Sequence, residues 1–420
     1  MIEVFTIGGY SEIGRNMTAI KIDDEIIILD MGLFLPAVLK YEEGDPRELT
    51  TKDLVKIGAI PDDEILNNYR DKVKAIVLGH CHLDHIAATP YLAKHYDCPI
   101  IGTPYTIEVL KTLLEDHEEK FEKRLKQLNT NSHLQISDNI KIEFINITHS
   151  TPQTVLVAIH TKYGIVIYAN DFKLDNHPVI GKKPDYERLE RLSEKGILLL
   201  ITDSLYSNVD GKTPSEKVAR EMLKDVILGI RNHDNLIIVT TFSSHIARLK
   251  SIIEFGRMLN RKVVFLGRSL FKYVTAAEKV GLVNFSKEVD LIGFRSLVEK
   301  KLRQIEKEGR SNYLIVCTGH QGEPDAILSR IANKKDIHFE LLPNDIVIFS
   351  CKTIPTEMTI KNREDLEKRL KQFHVRIFKD IHVSGHNSRE DYRDVIMLLK
   401  PKNILPAQCC LLYTSPSPRD

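Results

Sequence analysis

The chain has 420 residues, a net charge of +1, 42% hydrophobic and 28% charged residues. This length predicts two domains, and the balance is typical of a soluble globular protein. No apolar run reaches the roughly 18 residues of a membrane span, and MIEVFTIGGY at the N-terminus lacks the pattern of a secretory signal.

The six cysteines are scattered and form no C-x-x-C pair: Cys81, Cys98, Cys317, Cys351, Cys409 and Cys410. A disulfide framework or a cysteine zinc site is therefore not expected, and we predict a protein of the reducing cytoplasm. The net charge neither supports nor excludes RNA, so a nucleic-acid partner would have to meet a local basic groove.

The first half of the sequence is rich in strands. Apolar alternation predicts strands at residues 2–7, 17–22, 26–29, 140–147, 155–159 and 165–168. VKAIVL (73–78) predicts a buried strand, and helices are predicted over 86–96 and 106–128.

After Asp203 the pattern becomes alternating strand and helix, which favours a parallel sheet covered on both faces. We therefore predict a first domain at 1–205, a different α/β domain at 206–350, and a return to the first domain at 351–410. Within that return, 363–373 is predicted helical and 375–383 extended. The tail 411–420 has no periodicity and is expected to be disordered or foreign to the natural sequence.

Four potential metal ligands lie within the six residues His80-Cys81-His82-Leu83-Asp84-His85, directly after the predicted strand at 73–78. Zinc binds neutral imidazole and carboxylate ligands, and a loop at a strand end can turn residues i, i+2, i+4 and i+5 toward one centre. A polar turn with surface histidines is the alternative, which the density of ligands disfavours.

This hexapeptide resembles the signature of the metallo-β-lactamase superfamily. Asp30 in ILDMG matches the family's Asp at the end of an early strand, and His149 in FINITHS and Asp171 in IVIYANDF match the order and spacing of its later motifs, although each alone is more often structural. The resemblance implies that His80, His82 and His149 hold one zinc. It also implies that Asp84 and His85 serve a second, that Asp171 bridges the two, and that Asp30 orients the ligands.

The α/β segment that interrupts the first domain resembles the β-CASP group, whose acidic and histidine motifs are matched by Asp203 in LLLITDSLY and His386 in IHVSGHNS. GGYSEIGRNMT, TGHQGEP, NDIVIFS and HVSGH are similar to the ribonuclease J family, in particular its archaeal form. The resemblance implies an αββα sandwich interrupted by a Rossmann-like β-CASP domain. It also implies a homodimer with 5′-to-3′ exoribonuclease activity on 5′-monophosphate ends, and endonuclease activity in addition.

The catalytic candidates are Asp84, to orient water or accept its proton, and His386, to protonate the leaving oxygen. Candidates for contact with RNA stand at the ends of predicted strands or in the turns that follow them: His382, Val383, Ser384, Gly385 and His386, then Ser244, Gly319 and Gly322. Their backbone N–H groups suit a phosphate. The alternatives are an ordinary turn for S-G-H, a helix cap for Ser244 and a plain strand-to-helix turn for the two glycines.

Gln408 stands where the family's last zinc-binding histidine is expected, and Cys409 and Cys410 follow it. Glutamine is a poor replacement for imidazole, so the second of the two Zn²⁺ sites is predicted to be weakened. Mn²⁺ is an alternative metal. Two other functions stay open: a catalytically impaired RNA-binding paralogue, and a small-ester or thioester hydrolase on the same fold.

Overall fold

The computed structural model describes residues 1–41, 49–229, 234–334, 339–354 and 356–408. The chain divides into two compact units. The first unit comprises Met1–Asn176, Gly181–Thr213 and the chain from Gly385 onward, and the second comprises His177–Ile180 and Pro214–Ser384.

The first unit contains two six-stranded sheets. The first sheet has the order β1-β2-β3-β4-β5-β6, with β1 (Ile2–Gly8), β2 (Met17–Ile22), β3 (Glu25–Leu29), β4 (Val73–Val77), β5 (Ile100–Gly102) and β6 (Leu125–Gln127). The second has the order β18-β11-β10-β9-β8-β7, with β7 (His133–Gln135), β8 (Lys141–Asn146), β9 (Val155–Thr161), β10 (Gly164–Ala169), β11 (Ile197–Asp203) and β18 (Asn403–Ala407).

Apolar residues that alternate along these strands pack the two sheets face to face. Ile20, Ile27 and Val77 of the first sheet share one buried cluster with Phe144 and Val157 of the second. The helices of this unit are α1 (Leu35–Leu39), α2 (Thr51–Lys56), α3 (Leu83–Ile86), α4 (Thr89–Leu92), α5 (Pro104–Asp116), α6 (Tyr186–Glu194) and α13 (Arg389–Leu399). Helices α6 and α13 cover the outer face of the second sheet, and α5 contacts β5 and β6 of the first, which gives the αββα sandwich.

The second unit is built on a six-stranded parallel sheet. Its order is β14-β13-β15-β12-β16-β17, with β12 (Ile237–Thr240), β13 (Lys262–Leu266), β14 (Asp290–Ile292), β15 (Tyr313–Cys317), β16 (Ile346–Phe349) and β17 (Arg376–Phe378). The helices are α7 (Glu216–Leu228), α8 (Ile246–Met258), α9 (Arg268–Lys279), α10 (Arg295–Glu308), α11 (Ile327–Ala332) and α12 (Glu357–Gln372).

Two sequence predictions on the limits of the insert need correction. The return to the first domain was placed at 351, but β17 pairs with β16 and α12 buries Leu366 and Leu370 in the core of the second unit. The chain rejoins the first unit only at Gly385, and β18 then pairs with β11. The insert also begins later than residue 206, because the backbone of Thr213 still bonds to Asp391 of the first unit.

The helix predicted over 106–128 is also wrong in its second half. Helix α5 ends at Asp116, and the chain continues through a short 3-10 turn at Glu122–Arg124 into β6. The tail 411–420, Cys409 and Cys410 lie outside the described residues. Within the ranges that the structure describes, no helix combines the length and the apolar character that crossing a membrane requires.

Candidate metal centre

The loop after β4 carries four of the predicted metal ligands. The loop begins where β4 ends at Val77 and leads into α3, which begins at Leu83. The ligand side chains therefore lie on irregular backbone and on the first turn of α3. Residues next to the start of β2 and the end of β3 hold it by main-chain hydrogen bonds: the Asn16 N–H donates to Asp84 O at 3.0 Å and the Met31 N–H to His85 O at 2.7 Å.

Three histidines and one aspartate form a first cluster whose donor atoms all lie within 4.8 Å of one another. His82 Nδ1 is 3.1 Å from both His80 Nε2 and His149 Nε2. Asp171 Oδ2 lies 3.6 Å from His80 Nε2 and 3.7 Å from His149 Nε2. Ring nitrogens and a carboxylate that converge in this way fit a divalent metal ion.

A second cluster contains Asp84, His85 and the same aspartate. His85 Nε2 is 3.6 Å from Asp84 Oδ2 and 3.3 Å from Asp171 Oδ2. The single Oδ2 atom of Asp171 therefore faces both clusters, as a carboxylate between two metal ions would. The side chain of Asp84 is 32% exposed and that of Asp171 only 3%, so the first carboxylate faces solvent and the second does not.

The predicted pair Asp203 and His386 lies beside these clusters. His386 Nδ1 is 2.7 Å from Asp203 Oδ2, and its Nε2 is 3.9 Å from Asp171 Oδ2. The other Asp203 oxygen accepts a hydrogen bond from the Tyr392 hydroxyl. Asp203 thus holds His386 with its Nε2 toward the clusters.

Asp30 contacts the loop from behind. It is fully buried, and its carboxylate accepts from the Gly79 N–H at 2.9 Å, lies 2.7 Å from His85 Nδ1 and accepts from the Tyr168 hydroxyl at 2.8 Å. Asn16 adds a second contact, because its Nδ2 lies 3.2 Å from His85 Nε2.

Three of these supporting residues were not found from the sequence: Asn16, Tyr168 and Tyr392. Asn16 lies in GGYSEIGRNMT, a segment that carried the resemblance, and could have been singled out there. Nothing in the sequence marked the two tyrosines as functional, because a tyrosine buried in a strand or a helix is common in any protein.

Burial and neighbouring charges act in opposite directions on the histidines. Burial, together with the neighbouring histidines, holds the pKa of His80 and His149 well below the usual range. Burial also disfavours charge on His85 and His386, but carboxylates outweigh it. Asp171, Asp84 and Asp30 raise the pKa of His85 well above its usual range, and Asp171 with Asp203 raises the pKa of His386 to about 9.

Gln408 occupies the place where the resemblance expects a histidine. It is 1% exposed, and its Nε2 donates to Asn170 Oδ1 at 3.0 Å and to Asp171 Oδ1. Its Oε1 is buried with no hydrogen-bond partner among the described residues. A buried, unsatisfied amide oxygen beside Asp171 is a group that could face a cation, although it is a weaker donor than imidazole.

The predicted RNA-contact residues divide between the two units. Gly385 and His386 belong to the first, where Gly385 O lies 2.7 Å from His149 Nδ1. The second unit contains His382, Val383, Ser384, Ser244, Gly319 and Gly322.

Both glycines of TGHQGEP have left-handed backbone, with φ +118° at Gly319 and +77° at Gly322. A Cβ at Gly322 would lie 2.3 Å from Asn362 O, so packing alone already requires glycine there.

Comparison with known proteins follows the same division of the chain. Residues 11–193 match the family model "Metallo-beta-lactamase superfamily" and residues 234–364 match "Ribonuclease J, beta-CASP domain". The ribonuclease J of Methanocaldococcus jannaschii is 47% identical over 409 residues, which are 97% of this chain and 91% of that protein. The chain belongs to the ribonuclease J family.

Further ribonuclease J relatives show how far the similarity extends. That of Pyrococcus abyssi is 44% identical over 97% of this chain and 89% of its own length. That of Helicobacter pylori is 33% identical over 96% of this chain, but only 55% of its own length is covered. A solved structure of a protein of unknown function from Enterococcus faecalis V583 has a TM-score of 0.65 at 17% identity. The match covers 99% of this chain and 96% of that one, and it shows the fold alone.

Proposed function

We propose that this chain binds two Zn²⁺ ions and degrades single-stranded RNA from its 5′ end, favouring 5′-monophosphate ends. As a member of the ribonuclease J family it is a metal-dependent RNA hydrolase. The observation that carries the finer proposal is that Asp171 Oδ2 faces both clusters of donor atoms, each of which is compact enough for one ion.

His80, His82 and His149 with Asp171 would hold one ion, and Asp84 and His85 with Asp171 the other. This mixture of imidazoles and carboxylates suits Zn²⁺, and Mn²⁺ would accept the same carboxylates. Two bound divalent ions lower the pKa of water and polarise a phosphodiester. Since Gln408 supplies an amide where imidazole is expected, the second ion is proposed to bind more weakly than the first.

The residues of the chain contribute orientation and proton transfer. Asp84, the more exposed carboxylate of the second cluster, would orient the attacking water and accept its proton. His386 would give a proton to the leaving oxygen from Nε2, because its Nδ1 is already engaged by Asp203 at 2.7 Å. Asp203 is therefore a positioning residue in this scheme, and Tyr392 acts through it.

RNA binding is assigned to backbone N–H groups at turns. In the first unit these belong to Gly385 and His386. In the second unit they belong to Ser244, Gly319, Gly322 and the 382–384 segment. The Ser244 N–H precedes α8 and the two glycines precede α11, and N–H groups at such strand-to-helix junctions suit phosphate.

We also propose that the protein acts in the cytoplasm as a homodimer. The family resemblance supports both, and four cysteines in the described residues are free and buried, as suits a reducing compartment: Cys81, Cys98, Cys317 and Cys351.

The test is a time course with a 5′-monophosphorylated, 3′-labelled RNA, run beside its 5′-triphosphorylated counterpart, with metal content measured by mass spectrometry. We expect labelled fragments that shorten steadily from the 5′ end, faster for the monophosphate. The double variant His80→Ala/His82→Ala should lose both metal and cleavage, while His133→Ala, at an exposed histidine on β7, should lose neither.

The outcomes separate the parts of the proposal. Internal cuts without 5′ dependence would establish an endonuclease and remove the 5′-end preference. If the native chain cuts nothing, Gln408→His is tested next, and cleavage restored with a second bound ion would assign the defect to that ligand. A chain that holds two ions and still cuts no RNA would refute the nuclease proposal and favour the small-ester hydrolase.

A further inference from the structure

An aromatic pair with one exposed ring lies in the second unit. Phe294, directly before α10, is 66% exposed. Its ring centroid is 6.1 Å from that of Phe271 on α9, with 54° between the ring planes. We name Phe271 and Phe294 the aromatic platform.

The backbone around the aromatic platform is shaped to hold it. A Cβ at Gly293 would lie 2.8 Å from the Cβ of Phe271 and 2.9 Å from its Cγ. Only glycine therefore lets the Phe271 side chain pack on the strand-to-helix turn that presents Phe294. Phe271 itself is half-buried, so it supports the exposed ring as a fixed neighbour.

The charges beside the aromatic platform are three cations and the carboxylate of Glu299. Arg268 and Lys272 lie three residues before and one residue after Phe271 on α9, a spacing that puts Arg268 on the same face as both later residues. Arg295 follows Phe294 directly, its side chain is 61% exposed, and its Nε lies 3.7 Å from Glu299 Oε1. Arg268 and Arg295 are each the first residue of a helix.

Neither of these helices has a side chain of its own first turn that offsets the partial positive charge of its N-terminus. Helices α9 and α10 have no side-chain cap and no acidic residue in the first turn. By contrast α12 and α13 begin with capping boxes and carry acidic residues there. The positive helix ends add to the charge of Arg268, Lys272 and Arg295 and outweigh the single Glu299 carboxylate beside Arg295, so this surface is complementary to a polyanion.

The aromatic platform also lies on the same sheet edge as the proposed RNA contacts. Helices α9 and α10 start where β13 and β14 end, and Ser244 follows the end of β12 in the same parallel sheet. Ser269, in the first turn of α9, joins the two places through a hydrogen bond of 2.8 Å to Ser243.

We propose that the aromatic platform stacks a base of single-stranded RNA while Arg268, Lys272 and Arg295 bind its phosphates. This inference rests on the proposed function and adds a second RNA subsite to it. Single-stranded RNA is the occupant that combines a flat apolar face with a row of negative charges, which is what aromatic rings interleaved with cations bind. A protein surface would need more apolar area and fewer cations.

The test measures binding of nuclease-resistant 2′-O-methyl oligouridylates, 5′-phosphorylated and 3′-fluorescein-labelled, from 3 to 15 nucleotides in length. The native chain should gain affinity above a threshold length. Phe294→Ala should bind the long probes about 5- to 100-fold more weakly and the 3-nucleotide probe unchanged. Phe294→Trp should bind as the native chain does, and Phe294→Leu as weakly as Phe294→Ala, because only an aromatic ring stacks.

Matched controls come from the far ends of helices in the same unit. Met258→Ala removes another exposed apolar side chain (56%), at the last residue of α8, and should leave RNA binding unchanged. Replacing both Arg268 and Arg295 by alanine should make the plot of log binding constant against log salt concentration less steep by about 1.4, which is about 0.7 for each lost phosphate contact. Lys307→Ala, on the last turn of α10, should leave that slope unchanged.

A base analogue gives a direct readout of stacking. 2-Aminopurine placed at successive positions of a long probe should be quenched at one internal position by the native chain and not by Phe294→Ala. Equal affinity of Phe294→Ala and the native chain at all lengths would overturn the proposal, as would Phe294→Leu binding like Phe294→Trp. A change of oligomeric state in Phe294→Ala, with RNA affinity intact, would assign the surface to a second copy instead. The binding series does not measure cleavage. If the native chain cuts no RNA, that result contradicts the proposed function and leaves the test of the aromatic platform unaffected.

Discussion

The most sharply defined stability prediction concerns Arg248, a fully buried arginine on α8. Its Nε and Nη2 donate to the two carboxylate oxygens of Glu216 at 2.6 and 2.8 Å. Its Nη1 donates to Ser350 O at 2.9 Å and to Ile381 O at 3.0 Å. One guanidinium therefore joins α7, the end of β16 and the segment that leads to His382.

Arg248→Met should destabilise the second unit by about 3–5 kcal/mol, because it takes the guanidinium away from the buried Glu216 carboxylate, which is left with His245 at 3.3 Å. The two carbonyls also lose this charged donor and keep one hydroxyl each, that of Thr241 for Ser350 O and that of Ser350 for Ile381 O. The double variant Arg248→Met/Glu216→Leu should recover a large part of that loss, since removing both charges also removes the cost of burying the unpaired one. Rescue by the second substitution separates charge from packing, because both variants lose the same arginine.

The assay is hydrogen exchange followed by mass spectrometry, which reports the opening free energy of each peptide. A single unfolding free energy is not defined for a chain with two units, so local opening is the appropriate quantity. Peptides from α7, α8 and 376–384 should lose protection in Arg248→Met. Arg257→Met removes an exposed ion pair with Glu288 and should change protection by less than about 0.5 kcal/mol. A loss below about 1 kcal/mol in Arg248→Met, or a double variant less stable than the single, would refute the reasoning.

Three further predictions concern the first unit. A hydrogen bond to His160 lowers the pKa of Glu143 from 4.5 to about 2, so its contribution to stability is complete above pH 4.5 and lost as the pH falls toward 2. Thermal melts of Glu143→Gln should therefore show less loss of Tm between pH 5 and 2.5. Asp171→Asn should reduce the metal bound per chain at both clusters, measured by mass spectrometry after dialysis. Tyr392→Phe should lower kcat by about 10-fold with KM unchanged, because its hydroxyl acts only through Asp203.

Each of these has a matched control. Glu187→Gln, at a side chain that is 87% exposed, should leave the acid limb of the Tm curve as it was. Asp138→Asn, at an exposed aspartate, should retain the full metal content. Tyr163→Phe removes a hydroxyl that donates to Asp23 and should not change kcat. The predictions fail if Glu143→Gln steepens the acid limb, if Asp171→Asn keeps two ions, or if Tyr392→Phe changes KM alone.

The sequence was informative about the metal centre where the signal was local. His80, His82, Asp84 and His85 stand within six residues after an apolar strand, and the density of ligands alone predicts chemistry. His149 was placed with them by order and spacing within a family pattern, since nothing in its own surroundings distinguishes it from a structural histidine. The hydroxyls of Tyr168 and Tyr392 could not be found, because their partners Asp30 and Asp203 are 138 and 189 residues away.

The fold was predictable in type and less so in its limits. Alternating strand and helix after Asp203 predicted the parallel sheet, but α12 and β17 look the same in sequence whichever sheet they join. Pairing of β17 with β16 rather than with β11 is a tertiary choice, and it moves the boundary to Gly385. The false helix over 117–128 came from a charged stretch with helical propensity, which β6 overrides by pairing with β5 at Leu125.

Asp30 has one consequence for how a metal would arrive. Its carboxylate is engaged at once with the Gly79 N–H, His85 and Tyr168, on a residue whose φ of +60° only a fixed environment would hold. The rotational freedom of His85 is therefore lost when the protein folds, before any ion is present. Binding of an ion from solution then costs little conformational entropy of the His85 side chain. The metal-free and metal-loaded proteins should therefore differ in charge far more than in shape.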